Sequence, residues 1–348
     1  HVGPVLLNHS KISTLAFTGS TETARRIQKI LAYSDNYATR LIAETGGLNV
    51  CIADSTAVPE RLVRDVVVSA FHSAGQRCSA CRVLLVQSEI YLEVREMLIG
   101  AMQTLVVGNP QSLDTDVGPV TDQTAKTELL EYIESCRSNV LYQTSVPTEG
   151  CYVPPTLIEI DSLDRVDREQ FGPILHIMAY KRDDLESHIN FLMAKGYGLT
   201  AAVQSRNETF IKAVKEKLRV GNLYVNRNQV GAVVGSQPFG GEGLSGTGPK
   251  AGGPRYLSAF QPVEQNIHIE PLSWRSQQKL DMKDRIASAL RNQMHEMSTE
   301  LVRQEDCIGP TGELNQLSEY PRGVWLALGD AFARHRQMTK PPFCDPHS

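Results

Sequence analysis

Cys78 stands in the segment Phe71-His72-Ser73-Ala74-Gly75-Gln76-Arg77-Cys78-Ser79-Ala80-Cys81, a glycine-containing loop rather than an apolar periodic run. A thiolate is a strong nucleophile and a competent leaving group, and the neighbouring Arg77 is expected to favour that ionised form. Cys78 and Cys81 also make a C-x-x-C pair, the spacing of a redox dithiol. Such pairs usually open a helix, whereas this one leads into the apolar strand Val83-Leu84-Leu85-Val86. Zinc would need two further ligands, and neither a second C-x-x-C nor an H-x-x-x-H occurs, so no metal is expected. Glu44 closes the apolar run Leu41-Ile42-Ala43. A carboxylate there either faces water or acts as a general base at the carboxyl edge of a parallel sheet, where ligands of open α/β folds bind. Gly19-Ser20-Thr21-Glu22 joins a strand to a helix. Ser20 suffices as an N-cap, and the glycine equally lets a phosphate approach the helix N-terminus.

These side chains need strands and helices to hold them. Strands are expected at Ser13 to Thr18, Arg40 to Glu44, Asn49 to Ile52 and Arg82 to Gln87, from their β-branched and apolar runs. Helices are expected from Thr21 to about Leu31, from Pro59 to Ala70, and near 123–135, 183–194 and 207–218. Alternation of this kind implies an α/β fold with a mostly parallel sheet covered by helices. Ten of the 26 glycines fall between Gly221 and Gly253, which means turns and close backbone approach. Beyond about Val263 the chain becomes more polar, with a helix-like run from Ser276 to Val302 and a break at Gly309-Pro310-Thr311-Gly312.

The 348 residues are 41% apolar and 21% charged, with 35 basic against 39 acidic side chains. That balance supplies no broad positive field for a phosphate backbone, so nucleic acid is not an expected partner. No apolar stretch approaches the roughly 18 residues of a spanning helix. Seven widely spread cysteines suit a reducing compartment better than a disulfide framework. The start at His1 shows neither Met nor a signal pattern, so the chain is expected to begin inside a longer protein.

Five segments together become specific: Phe17-Thr18-Gly19-Ser20-Thr21-Glu22, Glu44-Thr45-Gly46-Gly47, Gly75-Gln76-Arg77-Cys78, Glu169-Gln170-Phe171-Gly172-Pro173 and Pro238-Phe239-Gly240-Gly241. Their order and approximate spacing, including the 34 residues from Glu44 to Cys78 (78 − 44), resemble the aldehyde dehydrogenase superfamily. Within it, the stretches 225–235 and 243–254 resemble the L-glutamate γ-semialdehyde (pyrroline-5-carboxylate) dehydrogenase half of bifunctional proline-utilisation proteins, and Gly309 to Glu313 resembles their C-terminal extension.

That resemblance implies three regions: the C-terminal remnant of a Rossmann-type NAD domain over 1–45, a parallel-sheet catalytic domain with a substrate-anchor loop over 46–262, and an extension over 263–348. It implies NAD as cofactor, an aldehyde as substrate, Cys78 as nucleophile and Glu44 as the base that activates water. Gly19 and Ser20 would meet the pyrophosphate, Glu169 the nicotinamide ribose, and Phe171 the nicotinamide, with Gly46 beside them. Backbone N–H groups of Gly231 and Ala232, with Arg77 and the Ser79 hydroxyl, would hold the substrate, and Phe239 and Phe71 would flank its stem. Some relatives carry serine where Ala232 stands, so backbone donors would have to suffice here. The resemblance further implies a proline dehydrogenase half as partner, a homodimer and a cytoplasmic location. In the superfamily the oxyanion asparagine and the ribose-contacting lysine precede the first motif, so the 348 residues alone are expected to show low or no activity. A catalytically silent assembly module and a thiol-redox protein stay open beside the dehydrogenase reading.

Overall fold

The structure, a computed structural model, describes residues 2–34, 39–261 and 302–320. The chain divides into two compact units, His1–Phe260 and Gln261–Ser348.

The first unit begins with α1 (Val2–Leu7), β1 (Thr14–Thr18), α2 (Thr21–Tyr33) and β2 (Arg40–Glu44). β1 and β2 pair in parallel with Thr18 opposite Glu44. Gly19 N–H then donates to the Glu44 carbonyl at 3.1 Å, so the glycine turn and the candidate base share one strand end. Ser20 is the N-cap of α2, its hydroxyl accepting from Thr23 N–H, as the turn chemistry leads one to expect.

The main sheet has seven strands in the order β10-β9-β3-β4-β7-β6-β5. They are β3 (Val50–Ala53), β4 (Val83–Gln87), β5 (Val140–Gln143), β6 (Thr156–Glu159), β7 (Ile174–Tyr180), β9 (Thr200–Gln204) and β10 (Asn222–Val225). Every pairing is parallel except β5 with β6 at the edge. β3, β4 and β9 are buried along their whole lengths, as expected of parallel strands covered on both faces. The covering helices are α3 (Pro59–Phe71), α4 (Tyr91–Gln103), α5 (Gln123–Ser135), α6 (Leu185–Ala194) and α7 (Glu208–Lys217). Pro59 opens α3, where its missing N–H costs nothing, and Leu62, Val63, Val66 and Ala70 form its buried stripe. The α/β parallel-sheet architecture is therefore the one the sequence implies.

Just before β9, β8 (Tyr197–Gly198) pairs antiparallel with β11 (Glu242–Gly243) of the glycine-rich segment. Single bridges Glu44↔Gly246 and Phe239↔Ala251 fold the same segment back over the end of β2. This fold-back sets residues 239–251 against Glu44.

The second unit contains a hairpin, β12 (Arg303–Cys307) against β13 (Asn315–Glu319), with the Gly309 to Gly312 break as its turn. These strands give no sequence signal, because Arg303-Gln304-Glu305-Asp306-Cys307 lacks apolar alternation. The helix expected from Ser276 lies outside the described residues over 262–301. Asn49 is a correction: β3 starts one residue later, and the Asn49 side chain turns to a different task.

Candidate active site

Cys78 follows α3 through a short 3₁₀ turn, His72–Gly75. Ser73 (φ 55°), Ala74 (φ 52°) and Gly75 (φ 64°) are all left-handed. For Ser73 and Ala74 that conformation costs about 1–2 kcal/mol each, so the surroundings must impose it. A Cβ on Gly75 would fall on the Gly172 carbonyl, backbone that cannot swing aside. Gly75→Ala is therefore expected to destabilise the protein by at least about 2 kcal/mol, combining left-handed strain with overpacking. Urea unfolding measures it, and a change near zero would show that the two loops do not touch.

Beyond that turn, the loop's carbonyls are held by buried donors. Arg82 guanidinium nitrogens donate to the carbonyls of Gly75 (2.8 Å) and Arg77 (3.2 Å). Asn49 Nδ2 donates to those of Cys78 (2.6 Å) and Ala80 (2.9 Å), and Thr200 Oγ1 to that of Ser79 (3.1 Å). With these oxygens drawn inward, the N–H groups of Cys78 and Ser79 face the sulfur and favour its charged form. They do not prevail. Burial first, then the Glu169 and Glu44 charges, push the Cys78 thiol above its ordinary range. Arg77 corrects an expectation: its side chain is exposed and its Nε donates to Ser73 Oγ at 3.1 Å, away from the thiol. Cys81 is fully buried, its thiol donating to the Val83 carbonyl, and burial pushes it up to about 12. Such a thiol is a poor redox partner.

Glu44 ends β2 beneath the glycine-rich fold-back. Its Oε2 accepts from Gly241 N–H at 3.0 Å, whereas Oε1 is buried with no hydrogen-bond partner among the described residues. Burial raises the carboxyl to about 7, against the opposing pull of the Gly241 N–H, the Lys250 charge and the Gly248 N–H. A carboxylate that titrates at neutrality is matched to proton transfer there. Its charge is felt by Cys78, which places base and nucleophile in one electrostatic neighbourhood.

Glu169 joins the site from the loop before β7. Its Oε1 pairs with Arg82 at 2.9 Å and its Oε2 accepts from Gly47 N–H at 3.2 Å. A Cβ at Gly46 would fall on Oε2, so glycine there makes room for the carboxylate. Phe171 leaves 46% of its surface exposed, with the Arg82 guanidinium 5.5 Å from its ring centroid. Gly19 and Ser20 are exposed at the start of the 13-residue α2.

Of the residues expected to hold substrate, Ser79 is buried directly after Cys78. Gly231 (φ 79°) and Ala232 lie in the loop that Gln237 closes, its Oε1 accepting from Val233 N–H at 3.2 Å. Phe239 is half-buried and fixed by reciprocal backbone bonds with Ala251 (2.9 and 2.7 Å). Phe71 is a second correction: at 1% exposure its ring belongs to the core beneath the loop and presents no face to a ligand.

Arg82, Asn49, Thr200 and Gln229 carry no expectation of a site role from sequence, yet they build the floor of the site. Gln229, fully buried, takes its N–H to Ser69 Oγ (3.1 Å) and its Nε2 toward the Ser79 carbonyl (3.4 Å). The available signal was a polar side chain at the border of an apolar run, as in Arg82 before Val83-Leu84-Leu85-Val86.

A profile of the aldehyde dehydrogenase family matches residues 1–265. The bifunctional protein PutA of Klebsiella aerogenes is 42% identical over 364 residues, covering 94% of this chain and 28% of that protein. A 1-pyrroline-5-carboxylate dehydrogenase of Geobacillus sp. (strain WCH70) is 36% identical, covering 74% of this chain and 51% of that protein. Among solved structures, a bifunctional proline utilization A (PutA) protein matches at TM-score 0.72 and 48% identity, covering 74% of this chain and 26% of its own. A 1-pyrroline-5-carboxylate dehydrogenase from Thermus with bound NAD matches at TM-score 0.67 and 33% identity, covering 75% and 51%. The chain thus spans about a quarter of the bifunctional relatives and about half of the dehydrogenases.

Proposed function

Since the chain belongs to the aldehyde dehydrogenase family, we propose that it carries the thiol chemistry of an NAD-dependent oxidation of L-glutamate γ-semialdehyde to L-glutamate. One observation supports this above the rest: a cysteine and a neutrally titrating carboxylate share one electrostatic neighbourhood, on a loop whose N–H groups face the sulfur.

The Cys78 thiol loses its proton to solvent, and the sulfur bonds to the aldehyde carbon as the carbonyl π pair moves to oxygen. Inward-turned carbonyls leave N–H groups of the loop for the developing oxyanion. The residues present fit a dinucleotide: an exposed Phe171 face, a Glu169 carboxylate locked in the Gly46 cradle, and accessible Gly19 and Ser20 at a helix N-terminus. When bound, NAD supplies the hydride acceptor that turns the thiohemiacetal into a thioester. The ionised Glu44 takes a proton from water; the hydroxide adds to the thioester carbon and the C–S bond breaks, returning Cys78. Neither the Gly231 nor the Ala232 N–H has an internal partner among the described residues, which suits them to a distal carboxylate. A proline dehydrogenase half in the parent protein, assembly as a homodimer and a cytoplasmic location belong to the same reading.

The pair is tested with p-nitrophenyl acetate, an activated ester that acylates a cysteine without cofactor. In Glu44→Gln the burst of nitrophenol is expected to persist while steady-state turnover falls about 10²-fold or more. A burst and turnover that fall together would remove Glu44 from the hydrolytic step.

A further inference from the structure

Lys250 lies in the glycine-rich fold-back, and its amine is surrounded by acceptors. Nζ donates to the Gly221 carbonyl, to Asn222 Oδ1 at 3.2 Å and to the Gly240 carbonyl at 3.3 Å, which takes up all three of its protons. Asn222 Oδ1 also accepts from Gly240 N–H at 3.3 Å, and Asn222 Nδ2 donates to the Pro238 carbonyl at 2.9 Å. The lysine is thus the hub that ties the end of β10 to residues 238–240. Directly after Gly240 comes Gly241, whose N–H holds Glu44 Oε2. Lys250 and the Glu44 carboxylate both crowd Gly240, since a Cβ there would lie 3.1 Å from the Lys250 Cα and 3.2 Å from Glu44 Oε1.

Resting on the function proposed above, we infer that Lys250 is a positioning residue for the general base. Its three bonds hold the 240–241 turn so that the Gly241 N–H stays on Glu44, and its ammonium is the cation facing that carboxylate. The charged and titratable groups around the pair are Cys78, which senses Glu44, and Glu242, which with Glu44 favours the Lys250 cation. Burial draws the amine down to about 8, while the Glu242 and Glu44 charges favour its cation, so it is charged on the acid side of the range in which Glu44 titrates. Removing that charge leaves burial less opposed, and the Glu44 carboxyl moves further up. Below the new value the base is protonated and hydrolysis slows.

The p-nitrophenyl acetate assay on the full-length protein separates the steps, the burst reading Cys78 and the steady state reading Glu44. For Lys250→Met the burst is expected to persist, and the acid limb of the steady-state rate to move up by about one pH unit, with a loss of up to about tenfold below it. A uniform fall in rate with the limb unmoved would overturn the proposal, because that is what a purely structural role produces. Should the methionine variant not fold by thermal melting, Lys250→Gln, which keeps a donor and removes the charge, is expected to move the limb the same way. An unmoved limb there overturns it equally. Absence of a burst in the unmutated protein would instead strike the Cys78 assignment on which the inference stands.

Discussion

Cys78→Ala is expected to abolish aldehyde oxidation in the full-length protein, lowering turnover by about 10⁴-fold or more, because no other group supplies the covalent step. Cys81→Ala is expected to stay within a few-fold of the unmutated rate. The contrast follows from where the two sulfurs sit. Cys78 is partly accessible on a loop with N–H groups facing it, while Cys81 is enclosed beside Cys51 with its proton on the Val83 carbonyl. NADH formation from glutamate semialdehyde measures both variants. Comparable damage from the two would return the C-x-x-C pair to a dithiol role and sink the nucleophile assignment. Alkylation gives an independent check, since iodoacetamide should label Cys78 well before Cys81, and faster as pH rises toward the elevated range of the thiol.

The largest stability effect is expected at Arg82. Its guanidinium is 1% exposed and donates to the carbonyls of Gly75, Gly172 and Arg77 and to Glu169. Arg82→Leu removes all of these and leaves a mostly buried carboxylate without its cation, a change that costs about 3–5 kcal/mol. For a unit of this size that corresponds to a fall in Tm of about 6–20 °C. Arg82→Lys should recover little, because one ammonium cannot span a fork of four acceptors. Adding Glu169→Gln to Arg82→Leu should restore part of the loss, as the uncompensated charge is gone. A single-variant cost below about 1 kcal/mol would mean that the loop is shaped by its own sequence rather than by this residue.

Backbone periodicity made the scaffold legible. The helix from Pro59 to Ala70 was readable because a proline start and an apolar stripe agree, and β4 because an uninterrupted Val83 to Val86 run has no other soluble use. Cys78, Glu44 and the motif glycines were singled out only through motifs that resemble those of a family. The floor of the site was not. Asn49, Arg82, Thr200 and Gln229 are single polar residues from four separate stretches, and only their convergence under residues 75–80 gives them meaning. The error at Arg77 has a related cause: adjacency in sequence does not fix side-chain direction, and the turn before Cys78 sends that guanidinium to Ser73 instead. Phe71 went astray because an aromatic at the end of a helix looks the same in sequence whether it faces a ligand or the core.

The loop bearing Cys78 owes its shape to residues distant in sequence, and this separates two kinds of evolutionary freedom. The exposed side chain at 77 can be exchanged while the path of the main chain endures, since the atoms that Arg82, Asn49 and Thr200 hold are carbonyl oxygens common to every amino acid. On the function proposed above, new aldehyde preferences can therefore arise by local substitution without refolding the loop. The supporting residues have the opposite character: a change at Asn49 or Arg82 would disturb every substrate alike, so variation there registers as loss of the enzyme rather than as a new specificity.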